Sequence, residues 1–185
     1  MTVFTVGHST RSAERFVALL QGAGVQRVWD IRSFPGSRRY PHFNSETLAA
    51  ILRSAGLGYE HHPELGGRRR PASPPRPSAW RNEGFRGYAE YMETDAFRSA
   101  IDRLIVASDD MVTAIMCSEA VPWRCHRSLV SDALTARDVD VLHILDDRVM
   151  PHTLTRFAMV TAGDVRYPLE ASAELKQAEL DLTRR

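Results

Sequence analysis

The feature that most constrains the fold is an alternation of short apolar runs with longer stretches whose apolar residues recur at helical spacing. The runs Val3 to Val6 and Val25 to Ile31 have the length and composition of buried strands. Amphipathic stretches that begin after Ser12 and after Asn44 or Ser45 have the pattern of capped helices. Strands that alternate with helices favour a mostly parallel sheet covered on both faces. We therefore predict an α/β fold: a single three-layer domain with helices flanking the sheet.

The rest of the chain continues this alternation. A third strand is predicted near Leu57 to His61, a fourth over Met111 to Met116, and a last strand over Val139 to Leu145. A helix capped by Thr94 precedes the fourth strand, and another, from about Ser128 to Ala136, follows it. The pattern thus predicts five strands joined by helical crossovers.

Polar residues follow each of the first four predicted strands. The carboxyl ends of parallel strands lie at one edge of the sheet, and ligands bind beyond that edge. We therefore predict one composite site, built from the loops that begin at Gly7-His8-Ser9, Asp30-Ile31-Arg32, Leu65-Gly66-Gly67 and Cys117-Ser118-Glu119.

Composition limits the class of protein. A content of 43% hydrophobic and 25% charged residues is typical of globular proteins. No apolar run approaches the roughly 20 residues that span a bilayer, and the N-terminal residues lack the pattern of a signal peptide. We therefore expect a cytoplasmic protein without a membrane partner. The formal net charge of +1 does not by itself indicate nucleic acid, and the sequence leaves the oligomeric state open.

Two segments interrupt the alternation. A segment at about residues 67–80 contains four prolines among arginines, which excludes a helix or a central strand. We predict an exposed loop within the domain, with Arg68 to Arg70 solvated. From Leu169 onward the chain is polar and charged. The predicted organisation is a single α/β domain over residues 1–168, followed by a polar C-terminal tail over residues 169–185.

Reactive residue types are concentrated between Met116 and Arg127, a segment that holds both cysteines of the chain. Cys125 precedes a predicted helix, and a helix N-terminus stabilises a thiolate, so Cys125 is the better nucleophile. Glu119 and His126 are the titratable residues nearest the cysteines and are the predicted acid and base. A single cysteine is ordinarily a small buried hydrophobe. Two cysteines flanked by an acid and a histidine instead favour a catalytic role for Cys117, Glu119, Cys125 and His126.

The spacing in this segment leaves several chemistries open. Six residues separate Cys117 from Arg124, one more than a phosphatase-type loop requires, so the spacing does not support that mechanism. The hypothesis of a rhodanese-like sulfur carrier, which also uses a cysteine at a strand end, has similarly weak support. Two cysteines in a cytosolic protein argue against a structural disulfide. Free thiols, a transient redox pair and metal ligands remain. Zinc or iron would suit Cys117, Cys125 and His126, although the spacing is not that of a compact zinc knuckle.

Arginines and backbone N–H groups at the same edge favour an anionic ligand, either a phosphate-bearing small molecule or nucleic acid. Asp30 is expected to orient Arg32. Tyr88 is retained as a pocket residue, whereas His143 lies in a strand pattern and is expected to be a core histidine. The predicted ligand-binding residues are His8, Ser9, Asp30, Arg32, Arg38 (or Arg39), Gly66, Gly67, Tyr88 and Arg127.

Five motifs follow one another along the chain: Thr5-x-Gly7-His8-Ser9, Asp30-x-Arg32-x-x-Pro35-x-Ser37-Arg38, Leu65-Gly66-Gly67, Phe85-x-Gly87-Tyr88-Ala89-x-Tyr91-Met92, and Cys117-x-Glu119 with Cys125-His126-Arg127. In this order they resemble the bacterial and archaeal family called domain of unknown function 488. The resemblance spans about residues 3 to 150. It implies a small cytoplasmic α/β protein whose motif residues line one pocket, and it implies no particular reaction.

Together these patterns predict a cytoplasmic protein with one pocket for an anionic ligand, acting as a hydrolase or transferase on a phosphate-bearing substrate such as a nucleotide or nucleic acid. The alternative is a metal-binding or redox-sensing protein that uses Cys117 and Cys125 without turnover. A third hypothesis is an interaction module in which the pocket has no chemical role.

Overall fold

The computed structural model describes residues 1–74, 76–146 and 148–170. Within these ranges six strands form one sheet: β1 (Thr2–Gly7), β2 (Arg27–Asp30), β3 (Gly58–His61), β4 (Thr113–Cys117), β5 (Asp140–Ile144) and β6 (Val149–Pro151). Their order is β3-β2-β4-β1-β5-β6. All neighbouring strands from β3 to β5 are parallel, and β6 is antiparallel to β5. The predicted mostly parallel α/β sheet is confirmed.

Helices cover both faces of this sheet. The described residues form five α-helices: α1 (Ala13–Gly22), α2 (Ser45–Ser54), α3 (Glu83–Met92), α4 (Asp95–Asp110) and α5 (Arg127–Thr135). Helices α1 and α2 share an apolar cluster with Val28 and Met116, whereas α3, α4 and α5 pack against Trp29 and Ile115. Successive side chains of a strand point to opposite faces. The two clusters are therefore the cores on either side of a three-layer arrangement.

The helices begin where their capping residues predict. The hydroxyl oxygens of Ser12 and Thr94 accept hydrogen bonds from the backbone N–H three residues later, at 3.2 and 3.3 Å. Each bond satisfies one of the free donors of a helix N-terminus. Asn44 occupies the cap position of α2, but its side chain instead accepts from the backbone N–H of Ser37 at 2.6 Å. Asn44 therefore ties the loop after β2 to the start of α2.

The expectation that Val139 to Leu145 forms the last strand is wrong. Strand β6 follows it, and β7 (Met159–Thr161) pairs with β8 (Asp164–Arg166) as a separate antiparallel hairpin. Ala162 and Gly163 link these two strands with φ values of +51° and +81°. This turn normally carries Asn-Gly or Asp-Gly, and strands of three residues are too short to show an alternating pattern. The turn and the two strands of this hairpin were therefore only weakly indicated by the sequence.

The described residues of the 67–80 loop form neither helix nor strand, and α3 anchors them. Glu90 accepts hydrogen bonds from the backbone N–H groups of Ala72 and Arg76, at 2.5 and 3.2 Å. Arg69, which was expected to be solvated, lies with its guanidinium carbon 3.7 Å from the ring centre of Tyr91. Cation–π contact and hydrogen bonding to nearby carbonyls account for this position.

Two further expectations concern the C-terminal tail and membrane-spanning helices. Residues 171–185 of the predicted tail lie outside the described residues. In the part of the chain that the structure describes, no helix combines the length and the apolar character needed to cross a membrane.

Candidate functional site

The carboxyl ends of β1, β2 and β4 bring the predicted loops together at one edge of the sheet. Gly7 at the end of β1 pairs with Cys117 at the end of β4, and Asp30 ends β2 on the other side of β4. The pairing continues past the strands, because the backbone N–H of His8 donates to the carbonyl of Cys117 at 2.9 Å. The side chains that follow these three strands therefore project over one region.

Two thiols and an imidazole form a compact cluster in this region. The sulfur atoms of Cys117 and Cys125 and a ring nitrogen of His126 all lie within 4.8 Å of one another. Nδ1 of His126 is 3.9 Å from Sγ of Cys117 and 3.6 Å from Sγ of Cys125. Both cysteines are buried, and no disulfide joins them. A strand end and the first turn before α5 thus bring together three potential metal ligands.

The imidazole of His126 is held in one orientation. Its Nε2–H donates to the carbonyl of Ile31 at 3.2 Å, which leaves Nδ1 as the lone-pair nitrogen that faces the thiols. The ring of Tyr88 lies 5.2 Å from that of His126, and the Tyr88 hydroxyl donates to the carbonyl of Leu65 at 2.8 Å. Gly67 contacts the other side, where a Cβ atom would lie 2.3 Å from Nδ1. Only glycine leaves room for the imidazole here.

The two thiols have opposite shifts in acidity. The hydrogen bond with Cys125, together with burial, raises the pKa of Cys117 to about 12. Burial opposes ionisation of Cys125, but the Cys117 thiol and the positive charge of Arg127 outweigh it and lower the pKa of Cys125 to about 6. The backbone N–H of Arg127 also approaches Sγ of Cys125, at 3.5 Å. Near neutral pH, Cys125 is therefore the thiolate and Cys117 keeps its proton.

Arg32 is fixed beside this cluster by a buried ion pair. Its guanidinium lies 2.6 Å from the carboxylate of Asp30, which is fully buried, and it also donates to the carbonyl of Phe43 at 2.8 Å. The hydroxyl of Tyr59 donates to the same carboxylate at 2.8 Å. Asp30 therefore orients Arg32, as predicted, and does so from below the surface of the site.

His8 also contacts the guanidinium of Arg32. Burial, and then the nearby charge of Arg32, lower the pKa of His8 to about 4, so the ring is neutral at neutral pH. Its Nδ1–H donates to the carbonyl of Ser9 at 2.9 Å, and Nε2 lies 3.4 Å from a guanidinium nitrogen of Arg32. The ring stacks on Phe43 at 4.2 Å between centres. His8 is thus a neutral hydrogen-bond acceptor for Arg32.

Arg127 lies beneath the site and joins the loop after β4 to strand β1 through hydrogen bonds. This side chain is almost completely buried, and its guanidinium donates to the carbonyl of Glu119 and to the hydroxyl of Thr5. The Glu119 carbonyl also packs directly on Gly7, where a Cβ atom would lie 1.8 Å away. These contacts fix the backbone of Glu119 against β1, whereas the side chain of Glu119 is exposed.

A cavity of about 770 Å³ opens above these residues. Among the described residues that line it, Arg32, Arg39, Arg68 and Arg124 are cationic and Glu119 is the one acid. Cys125 and His126 form part of its wall. An excess of guanidinium groups in a concave site favours an anionic ligand, because arginine binds carboxylate and phosphate through paired hydrogen bonds.

The predicted site residues separate into two layers. Those that line the cavity are His8, Ser9, Arg32, Gly67, Glu119, Cys125 and His126. Those that lie beneath or beside it, outside its lining, are Cys117, Asp30, Arg38, Gly66, Tyr88 and Arg127. Arg39, named as the alternative to Arg38, takes the position expected of Arg38. Arg124 was not predicted as a ligand-binding residue, although its place next to Cys125 was a signal for it.

Replacing Gly67 with alanine is expected to lower the free energy of unfolding by about 1–3 kcal/mol, because the new methyl group overlaps the imidazole of His126. Urea denaturation measures this loss. Gly36→Ala is the matched control: Gly36 lines the same cavity, but nothing lies within 4 Å of the added Cβ atom. Equal stability of the two variants would contradict the packing of His126 against Gly67.

Comparison with known proteins identifies a family. A family model described as "Domain of unknown function DUF488" matches residues 12–134. This range contains the ends of β2 and β4, the Gly66-Gly67 turn and the whole thiol–imidazole cluster. Among curated proteins and among solved structures, no significant match is found.

Proposed function

This chain belongs to the DUF488 family, and from the geometry of its site we propose that it is a metal-dependent hydrolase or transferase that acts on a phosphate-bearing substrate. In this proposal Cys117, Cys125 and His126 bind one metal ion. The arginine-lined cavity binds the anionic group next to that ion.

The separation of the three ligand atoms is the observation that carries the proposal. With zinc–sulfur bonds of about 2.3 Å, zinc–nitrogen bonds of about 2.0–2.1 Å and tetrahedral angles, a sulfur and a nitrogen ligand lie about 3.6 Å apart. The two sulfur–nitrogen distances here are 3.6 and 3.9 Å. Both sulfur–nitrogen distances therefore suit a tetrahedral site, the two sulfurs lie within 4.8 Å of each other, and zinc is the ion that best fits two thiolates and an imidazole.

The surroundings of His126 support the same proposal. A ligating histidine typically donates its other ring N–H to a backbone carbonyl or a carboxylate, which fixes the tautomer. Ile31 supplies that carbonyl, and Nδ1 faces the sulfurs. Three protein ligands leave one position of a tetrahedral ion free, which is typical of catalytic rather than structural zinc. Since Cys125 and His126 form part of the cavity wall, an ion held by the three residues would lie next to the cavity.

The cavity supplies the other groups that such a reaction needs. A bound ion lowers the pKa of a water molecule and polarises a phosphoryl oxygen. Arg124, in the wall of the cavity, can bind the negative charge of the substrate. Glu119 is the carboxylate on the described wall of the cavity, and we assign it the proton released from the attacking water. The water oxygen then bonds to phosphorus as the ester oxygen leaves with the electron pair of the broken bond.

A second candidate function uses the same thiols without a metal. It is favoured by the pKa of Cys125, which is lowered to about 6, so that Cys125 is a thiolate near neutral pH. Cys117, whose thiol stays protonated, would then be its partner in a redox pair or in nucleophilic catalysis. This candidate predicts ligand binding that is independent of metal.

Calorimetric titration with inorganic phosphate tests the proposal. The metal-loaded chain is expected to bind phosphate, and the chelator-treated chain to bind it at least about tenfold more weakly, since a charge-assisted contact contributes about 1.5–3 kcal/mol. Arg124→Ala is expected to weaken binding about tenfold for the same reason. Arg53→Ala, which removes an exposed arginine on α2 outside the cavity, serves as the control. Equal phosphate affinity with and without metal would contradict the proposal and favour the second candidate.

A further inference from the structure

A second cavity, of about 560 Å³, adjoins the candidate site and has a different character. Trp80, Trp123 and Phe157 supply aromatic surface, and Met150 and Leu154 add aliphatic surface. Its volume is in the range of small-molecule sites, which are lined mainly by apolar and aromatic groups. Neither the metal cluster nor the arginine-lined cavity makes use of these side chains.

The two histidines in the wall of this cavity are already hydrogen-bonded to each other and to buried residues behind them. Nδ1 of His143 accepts from the Thr5 hydroxyl at 2.8 Å, and Nε2 of His143 lies 3.0 Å from Nδ1 of His152. Nε2–H of His152 donates to the fully buried carboxylate of Asp132 at 2.8 Å. Both nitrogens of each imidazole therefore have partners. The histidines thus present ring surface, which favours an apolar or aromatic occupant over a strongly polar one.

The two cavities are neighbours. Trp80 in the second cavity stacks on Phe85 in the first, with ring centres 4.7 Å apart and an angle of 15° between the rings. Trp123 and Arg124 are consecutive residues of one short 3-10 helix, Pro122–Arg124, yet Trp123 lines the second cavity and Arg124 the first. An aromatic wall therefore begins one residue away from an anion-binding wall.

From this arrangement we propose that the second cavity binds the aromatic ring of the substrate whose phosphate occupies the arginine-lined cavity. The substrate class is a phosphate ester that carries a planar aromatic group, with a nucleoside monophosphate as its simplest biological form. This inference rests on the proposed function for the placement of the phosphate. The ring itself is recognised by stacking on exposed Trp123, an interaction that every nucleobase can make.

The test compares three ligands on the metal-loaded full-length chain: inorganic phosphate, a nucleoside monophosphate and the corresponding nucleoside. The nucleotide is expected to bind at least about tenfold more tightly than phosphate. Trp123→Ala is expected to weaken nucleotide binding about tenfold and to leave phosphate binding unchanged. The Trp123 side chain is 57% exposed, so its loss should not unfold the protein. Trp123→Phe, which keeps an aromatic face, is expected to restore most of the affinity.

Val106→Ala is the matched control, because Val106 is an exposed apolar residue on α4, outside the second cavity. If Trp123→Ala binds the nucleotide as tightly as the parent, or weakens phosphate equally, the aromatic subsite is refuted. Phosphate binding without any gain for the nucleotide would also refute it, while leaving the proposed function intact. Nucleoside binding that depends on Trp123, in a chain that does not bind phosphate, would support the subsite and refute the proposed function.

Discussion

Replacing Cys125 with alanine is expected to weaken metal binding about a hundredfold, so that most of the ion is lost during purification. Zinc sites with four protein ligands have apparent binding free energies of about 10–16 kcal/mol, so the loss of one thiolate should cost roughly 3 kcal/mol, or about a hundredfold in affinity. Elemental analysis of the full-length chain, purified under reducing conditions, should give about one ion per chain for the parent and little for Cys125→Ala. A zinc competition titration then measures the change in affinity.

Two further variants and one control sharpen this result. Cys117→Ala and His126→Ala remove the other two atoms of the cluster and are expected to have effects of similar size. Ser118→Ala changes the residue after Cys117, whose hydroxyl lies 3.9 Å from the Cys117 sulfur, and is expected to keep the metal. Retention of the ion by Cys125→Ala would rule out the cluster as its site.

A metal-free parent protein would favour the second candidate function, and thiol alkylation then distinguishes the two cysteines. Because the pKa of Cys125 is lowered and that of Cys117 is raised, Cys125 should be alkylated at a clearly lower pH than Cys117. Protection of both thiols until a chelator is added would instead support the metal site.

The Asp30→Ala variant is expected to lose about 3–5 kcal/mol of unfolding free energy, because it leaves the buried guanidinium of Arg32 without its counter-ion. Asp30 is fully buried and Arg32 is 6% exposed, so water can replace the lost carboxylate only in part. The hydroxyl of Tyr59 also loses its acceptor. Denaturation in urea measures the effect, and the change in the denaturant midpoint gives its sign directly.

The double variant Asp30→Ala, Arg32→Met separates the charge effect from simple loss of packing. It removes both ions, so it should be less destabilised than Asp30→Ala alone. Glu93→Ala, which removes the partner of exposed Arg76, is the surface control and should cost under about 1 kcal/mol. If Asp30→Ala costs no more than this control, the ion pair does not hold the edge of the site together.

Much of the architecture followed from local patterns. The alternation of apolar runs with capped amphipathic stretches predicted β1 to β5 and the helices α1, α2, α4 and α5, because strand and helix periods differ clearly over such lengths. The parallel order then implied that the residues after Gly7, Asp30 and Cys117 would share one edge. The short strands β6, β7 and β8 escaped prediction, since three residues carry no period.

The residues of the site were predictable, but which of them line the cavity and which lie beneath it was not. The polar residues at the strand ends were identified as one group, yet Asp30, Tyr88 and Arg127 lie under the cavity, whereas Arg124 lines it. Whether a loop side chain points into the core or into the cavity depends on the packing around it. Loop residues have no regular period from which this direction could be predicted. Glu119 shows the same limit, because its backbone is held by Arg127 while its side chain is exposed.

By itself the sequence determined which residue types lie at the carboxyl edge of the sheet, because chain order and strand period dictate where each strand ends. Only the tertiary structure decided that Cys117, Cys125 and His126 converge to within 4.8 Å. Their convergence depends on the path of the turn between β4 and α5 and on Gly67, which arrives from a loop about fifty residues earlier in the chain and leaves room for the imidazole. Close packing of separate loops is a three-dimensional property, and linear spacing does not contain it.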